Sequence, residues 1–199
     1  MLSIKDRQIY LKTLGYYQGA IDEIEGPMTK SAYRTLQNKY FTRSCDKDGV
    51  YGKNTDILLQ NAYNFKDSQY FKLEEFKCQC GGKYCTGYPA IIDKALIKNL
   101  NQLRAIYGPI KITSGLRCPR HNQMVGGVTN SKHVLGKASD TYQSNMCSTY
   151  NKRKIYIQKW LDFANSQMGY CNGYMKYQNC NPTTYNSKTM GNVVHVQVK

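Results

Sequence analysis

The chain has 199 residues, with 28 Lys and Arg against 13 Asp and Glu, and a formal net charge of +15 at pH 7. This length allows one domain of average size or two small ones. The charge favours a polyanionic partner such as nucleic acid, an anionic membrane or a wall polymer that carries teichoic acid, unless it reflects only a biased residue usage on a solvated surface. No run of about 18 apolar residues occurs, so membrane insertion is not expected.

The N-terminal segment MLSIKDRQIYLKTLGYY is amphipathic from its start. It lacks the apolar stretch that a signal peptide requires. The chain is therefore expected to act where it is made, or to leave the cell by a route other than an N-terminal signal.

The first 62 residues contain an internal repeat. DEIEGPMT, from Asp22, and DGVYGKNT, from Asp48, each place Asp, an apolar residue, Gly and Thr at relative positions 0, +2, +4 and +7. Two copies of a turn-plus-helix unit, 26 residues apart, are predicted. In each copy the glycine is expected to permit a tight turn and the threonine to cap the helix: Gly26 with Thr29, and Gly52 with Thr55.

Helical spacing of apolar residues predicts three helices here, in IYLKTL, SAYRTLQNKY and DILLQNAY. The pattern LGYYQGAIDEIEGPMTKSAYRTLQ followed by DGVYGKNT resembles the small three-helix peptidoglycan-binding domain attached to many wall hydrolases. The resemblance covers residues from about 4 to 62 and implies a wall anchor over residues 1–64. A helical spacer domain is the alternative. NFKDSQYFKLEEF is then predicted to be a short polar linker.

The second part of the chain, residues 71–199, has a different pattern. IIDKALIKNLNQLRAIYG and NKRKIYIQKWLDFANSQ predict amphipathic helices, the first ended by Gly-Pro. PIKITSGLR predicts a strand that runs into a turn, and GNVVHVQVK predicts a terminal strand. Helices separated from short strands favour an α+β domain with a small antiparallel sheet.

The segment SKHVLGKASD, Ser131 to Asp140, places His133 seven residues before Asp140. A hydrolytic zinc ion needs three protein ligands, usually His and carboxylates, and an open fourth position. His195, on the predicted strand VVHVQV, is a candidate for the third ligand, although a single histidine on a strand is more often a partly buried side chain with an ordinary partner.

The segment contains the motif S-x-H-x-x-G-x-A-x-D, with ITSGLRCPRHNQMVGG upstream and VHV downstream. In these motifs the chain resembles the zinc D-alanyl-D-alanine carboxypeptidase family, which includes the L-alanyl-D-glutamate peptidases of phage endolysins. The resemblance implies that His133, Asp140 and His195 are zinc ligands. It also implies that Arg117 faces the scissile carbonyl or the substrate carboxylate, and that Ser131 and Ser114 bind substrate. Alternative roles are a salt bridge for the arginine and turn capping for Ser131.

The sequence departs from the family at the general base. Members commonly carry a carboxylate three residues before the last histidine or two residues after it, and Asn192 and Gln197 occupy those positions here. Neither amide can accept a proton from water in the required way. His121, in CPRHN, is predicted as the replacement base, with a surface or structural histidine as the alternative.

Eight cysteines are present, four of them in FKCQCGGKYC and at Cys118. Disulfides, free thiols and a structural zinc site are all compatible with this number. The C-x-C-x4-C spacing differs from the usual paired C-x2-C of zinc sites.

Together the resemblances imply a monomeric zinc peptidase that cuts peptidoglycan stem peptides. The missing signal peptide, the short length and the basic charge indicate a phage or prophage endolysin made in the host cytoplasm and released to the wall by a holin, with a bacterial wall-remodelling enzyme exported by other means as the variant. The sequence does not identify which peptide bond is cut. The alternative is a wall-binding protein without catalysis. A nucleic-acid partner is not expected, because the lysines are scattered and form no concentrated stripe.

Overall fold

The computed structural model describes residues 1–171, 174–177, 183–184 and 191–199. Within these residues the helices are α1 (Ile4–Thr13), α2 (Pro27–Tyr40), α3 (Lys53–Asn64), α4 (Lys94–Tyr107), α5 (Pro119–Met124) and α6 (Tyr150–Asp162). The strands are β1 (Lys111–Ser114), β2 (Ala138–Tyr142), β3 (Ser166–Cys171), β4 (Tyr174–Tyr177), β5 (Thr183–Thr184) and β6 (Val194–Val198). A search of the described helices finds none that has both the length and the apolar character of a membrane span.

Two buried glutamines, Gln8 and Gln37, give the N-terminal repeat its physical basis. Each side-chain amide donates to the aspartate of the following turn, to the carbonyl of the apolar residue and to the threonine hydroxyl: Asp22, Ile24 and Thr29 for Gln8, and Asp48, Val50 and Thr55 for Gln37. Buried amides need such partners, because an unpaired polar group is costly in the interior. The repeated residues thus fasten each turn to the helix before it.

The roles predicted for the repeated glycines and threonines are wrong. Gly26 and Gly52 are the N-caps of α2 and α3, and their φ angles of −82° and −110° are sterically allowed for any residue. Thr29 and Thr55 lie inside the first helical turn, where their hydroxyls donate back to the carbonyl of the apolar turn residue. The threonines therefore close the turn and do not cap the helix.

An antiparallel sheet in the order β1-β2-β6-β3-β4-β5 forms the second part of the chain, with α6 packed against it. The predicted α+β fold class is confirmed. The last strand, β6, lies between β2 and β3, so residues near the C-terminus occupy the middle of the sheet. The register of β2 and β6 places Asp140 opposite His195.

The helix predicted over residues 151–167 is shorter than expected. It ends at Asp162, and the chain turns through Asn165, whose φ is 67°, into β3. Asparagine accepts this left-handed conformation more readily than most residues. The strand β3 and its hairpin with β4 were not predicted, and the predicted helix ran into the first two residues of β3.

The segment between residues 64 and 76 is not the polar linker that was predicted. Phe65, Phe71 and Phe76 are buried, and the rings of Phe65 and Phe76 lie 5.1 Å apart between centroids. One continuous cluster of buried side chains runs from the N-terminal helices into the sheet. The division into residues 1–64 and 71–199 therefore stays a prediction.

Helix α3 holds residues 90–92, which pack against Gly136 in the loop that carries His133. Asn61 accepts from the backbone N–H of Ile92 at 2.7 Å and donates to the carbonyl of Ala90 at 2.9 Å. The intervening Ile91 lies against Gly136, where φ is +73° and an added Cβ would stand 2.1 Å from the Ile91 carbonyl oxygen. Only glycine fits this position without a shift of backbone.

We expect Gly136→Ala to lower the free energy of unfolding by more than about 1–3 kcal/mol, which is the cost of a left-handed non-glycine residue alone. The new methyl group also collides with the Ile91 carbonyl. Gly15→Ala is the matched control, since φ is +78° there and nothing lies within 4 Å. Urea denaturation measures the free energy of unfolding of both variants. An equal decrease in the two would show that the contact with Ile91 relaxes at no cost.

The seven described cysteines form no disulfide: Cys45, Cys78, Cys80, Cys85, Cys118, Cys147 and Cys171. Cys180 lies outside the described residues.

Candidate metal centre

Three side chains from distant parts of the chain converge: His133 from the loop before β2, Asp140 from β2 and His195 from β6. Asp140 Oδ1 lies 3.2 Å from His133 Nε2 and 2.9 Å from His195 Nδ1. The two ring nitrogens are 3.3 Å apart. All three residues are buried, with 2%, 8% and 5% of their surface exposed. The structure thus brings together the three side chains predicted as ligands.

The outer nitrogen of each imidazole ring has an oxygen partner. His133 Nδ1 is 2.7 Å from the carbonyl oxygen of Gly115, and His195 Nε2 is 3.2 Å from Gln197 Oε1. Both oxygens accept, so these nitrogens carry the ring hydrogens. The inner nitrogens, which face Asp140, are then unprotonated and available to a metal ion.

This donor set fits zinc. Two imidazole nitrogens and one carboxylate oxygen are the protein ligands typical of a catalytic zinc site. Ligands held tetrahedrally at about 2.0–2.2 Å from the ion would lie roughly 3.4 Å from one another. The separations of 2.9, 3.2 and 3.3 Å are close to that value.

The protonation states of the ligands also suit a cation. Burial lowers the pKa of His133, which favours the neutral form of the ring. Burial acts to raise the pKa of Asp140, but the close contacts with His133 and His195 outweigh it and hold that pKa well below its usual range. Both shifts favour the forms that bind a cation, an ionised Asp140 and a neutral His133.

Arg117 lies directly beside the ligands. Its Nη2 donates to Asp140 Oδ2 at 2.5 Å, and its Nε donates to Ser114 Oγ at 2.9 Å. The backbone N–H of Arg117 also donates to the carbonyl of His133 at 3.2 Å. The guanidinium group thus holds the outer oxygen of Asp140 while Oδ1 faces the histidines.

A cavity of about 490 Å³ opens onto this centre. Ser114, Ser131 and Arg117 line it together with the three ligands. Their predicted contacts with substrate stay predictions, and the contact that the structure shows for Ser114 is with Arg117. His121 lies on α5 and is not among the lining residues, so its position does not support the predicted role as general base.

The two positions where the family commonly carries a carboxylate differ in their surroundings. Asn192 Oδ1 accepts from the buried Arg153 at 3.2 Å, and Asn192 does not line the cavity. Gln197 does line it and contacts His195. Among the described lining residues, Asp140 is the one acidic side chain.

Some residues of the centre were missed by sequence reasoning. Gln197 was noted only as a missing carboxylate, although alternation along β6 places it on the same face as His195. Met168 and Tyr170 line the cavity from β3, and the Tyr170 ring lies 4.8 Å from that of His195 between centroids. They were missed because β3 itself was not predicted.

We expect Gln197→Leu to weaken zinc binding by about 10- to 100-fold, since the loss of a group that orients a metal-bound histidine has effects of this size. Gln197→Glu keeps an acceptor for His195 Nε2 and should bind zinc at least as tightly as the natural chain. Competition with a chelator measures both constants. Unchanged affinity in the leucine variant would show that the contact of 3.2 Å does not orient His195.

A small antiparallel sheet that presents two histidines and an aspartate to an open cavity is the arrangement of a zinc-dependent hydrolase. The sequence model of the family described as Peptidase M15 matches residues 69–174, more than half of the chain. The chain belongs to this family. Zinc, predicted as the cofactor, is confirmed by the family together with the donor set.

The chain is also similar to a curated relative, the zinc D-Ala-D-Ala carboxypeptidase of Streptomyces albus G. The two are 29% identical over 148 residues, which cover 67% of this chain and 56% of the relative. The chain therefore spans little more than half the length of that protein. The family match contains His133 and Asp140 but ends before His195, so the fold is what brings the third ligand to the site.

Proposed function

We propose that this chain is a zinc-dependent peptidase that cuts the stem peptides of bacterial peptidoglycan. The observation that carries the proposal is the convergence of His133, Asp140 and His195 on one side of an open cavity, with Arg117 beside them. The name of the Streptomyces relative, a D-Ala-D-Ala carboxypeptidase, supports the substrate class.

The charges around the cavity favour an anionic peptide. Arg117 and Lys132 line it, and Asp140 is the one acidic residue among the described lining residues. A bound dication would make this region strongly positive. Stem peptides carry free carboxylates, so the cavity would attract them by charge and the Arg117 guanidinium would pair with a carboxylate or with the developing oxyanion.

The zinc ion, when bound, supplies Lewis acidity that activates water and polarises the scissile carbonyl. The protein's own residues orient this chemistry. Gly115 and Gln197 fix the two imidazole rings, and Arg117 fixes the carboxylate of Asp140. A guanidinium group already held in place can stabilise negative charge that develops on the carbonyl oxygen without further reorganisation.

A second function is favoured by one specific observation. In the described part of the lining, no carboxylate other than Asp140 is present, and Asp140 is engaged by Arg117 and both histidines. General acid–base help contributes about 100- to 10,000-fold to such reactions. A chain that lacks it would be a slow peptidase or a protein that binds the wall without cutting it.

We also propose that the chain acts at the bacterial wall as a phage or prophage endolysin, with helices α1–α3 as the anchor. The support is the combination of the helical repeat with a peptidase centre on one strongly basic chain. An anchor would raise the local concentration of the catalytic centre on an insoluble polymer. Direct competition between peptidoglycan and DNA for the protein separates wall binding from nonspecific attraction to polyanions.

The experiment that tests the activity is digestion of purified Gram-positive peptidoglycan, with mass spectrometry of the released fragments and assay of new amino termini. The zinc-loaded chain should release fragments, and the same chain stripped by a chelator should not. The fragment masses identify the cleaved bond. Zinc binding without fragment release at any pH would contradict the peptidase and favour the binding protein.

A further inference from the structure

A second cluster of metal-binding side chains lies outside the cavity. It consists of four cysteines, called here the thiolate cluster: Cys78, Cys80, Cys85 and Cys118. Their sulfur atoms all lie within 4.8 Å of one another. Three come from one short loop, and the fourth comes from a position 40 residues after Cys78, so the fold is what completes the group.

The spacing of the sulfur atoms suits a shared ion. The contact between Cys80 Sγ and Cys85 Sγ is 3.5 Å. A disulfide would require about 2.05 Å. Four thiolates that bind zinc tetrahedrally at about 2.3 Å lie roughly 3.8 Å from one another. The cluster therefore has the ligand number, the ligand type and the approximate spacing of a closed zinc site.

Backbone N–H groups surround the sulfur atoms. The N–H of Cys118 donates to Cys78 Sγ at 3.4 Å. Further backbone N–H groups contact cluster sulfurs: that of Cys80 with Cys78, that of Gly87 with Cys85 and that of His121 with Cys118. Such donors stabilise negative charge on sulfur, which four metal-bound thiolates would carry. Cys78 and Cys118 are buried, at 4% and 3% exposure, so water cannot do this for them.

The loop of the cluster has no regular secondary structure. Residues 77–90 contain no helix or strand. Gly81 and Gly82, with φ of +63° and +85°, turn the chain between Cys80 and Cys85. The N–H of Cys78 donates to the Gly87 carbonyl at 2.8 Å, and the Gln79 side chain donates to the Thr113 carbonyl at 2.8 Å. A metal ion bound by four side chains would add to these contacts, as it does in other small loops.

We propose that the thiolate cluster binds one zinc ion in a closed, structural site, separate from the centre formed by His133, Asp140 and His195. The ion would tie the loop of residues 78–85 to Cys118, which directly follows Arg117 and precedes α5. It would thereby fix the backbone that presents Arg117 to Asp140. The proposal does not rest on the proposed peptidase activity, because none of the four cysteines lines the cavity.

Metal counting on the full chain tests the proposal. The natural chain should carry about two zinc ions, and His133→Ala and Cys85→Ser should each carry about one. Cys147→Ser is the matched control, because Cys147 is buried but lies outside the cluster, and it should keep both ions. Substitution with Co²⁺ adds a second readout. Sulfur-to-cobalt charge-transfer absorption should persist in His133→Ala, since among the described residues the cysteines grouped for metal binding are those of the thiolate cluster.

Three results would overturn the proposal. One is a single metal ion in the natural chain together with its complete loss in His133→Ala. Another is a cobalt protein without sulfur charge-transfer absorption. The last is peptide mapping of the unreduced chain that finds the cluster cysteines joined as disulfides. If Cys85→Ser does not fold, the natural chain and His133→Ala decide the question alone, and neither measurement depends on whether peptidoglycan is cut.

Discussion

Replacing His133 with alanine is expected to remove the metal ion of the His–Asp–His centre and to lower cleavage of peptidoglycan by well over 100-fold. Even groups that only orient a zinc ligand contribute about 10- to 100-fold, and a lost ligand has a larger effect. The side chain is 2% exposed and contacts both other ligands, and no further His, Cys, Asp or Glu of the described residues belongs to this group. Release of new amino termini and zinc content per chain measure the two effects.

His121→Ala is the matched control for this variant. His121 lies on α5, outside the cavity lining, and its replacement should leave zinc content and cleavage close to the natural values. A large loss of cleavage in His121→Ala with full zinc content would restore the general-base role that its position does not support. Cleavage that survives in His133→Ala would show that the proposed centre is not the catalytic one.

Arg117→Ala is expected to have the second largest effect, a loss of about 100- to 1,000-fold in kcat/KM, which is the range for removing one donor that stabilises an oxyanion. The variant also leaves Asp140 Oδ2 without its partner at 2.5 Å. Zinc affinity should therefore fall by about 10- to 100-fold, as for other groups that orient a ligand. Assays at saturating zinc separate the two contributions.

Arg117→Lys keeps the charge but not the paired contacts to Asp140 and Ser114, so it should recover only part of the activity. Arg120→Ala removes an exposed arginine three residues away and should have no effect. If Arg117→Ala regains full activity once zinc is saturating, the arginine acts only by positioning Asp140. A deficit that remains at saturating zinc supports its proposed contact with the substrate.

Local sequence patterns were sufficient to predict much of the fold. The repeat of Asp, Gly and Thr predicted two turn-plus-helix units, and α2 and α3 follow the repeated turns. Apolar spacing predicted α4 and α6, since amphipathic periodicity is a property of consecutive residues. The same method placed β6 but carried the prediction for α6 past Asp162, because no local signal marked the reversal at Asn165.

The sequence by itself determined the α+β class, and the resemblance carried by SKHVLGKASD and the downstream VHV predicted His133, Asp140 and His195 as ligands. Only the tertiary structure decided that His195 joins the other two, since β6 pairs with β2 across 55 residues of chain. The same holds for the orienting contacts of Gly115 and Gln197 and for the convergence of the four cysteines. Contacts between distant residues depend on strand order and register, which the periodicity of a single chain does not encode.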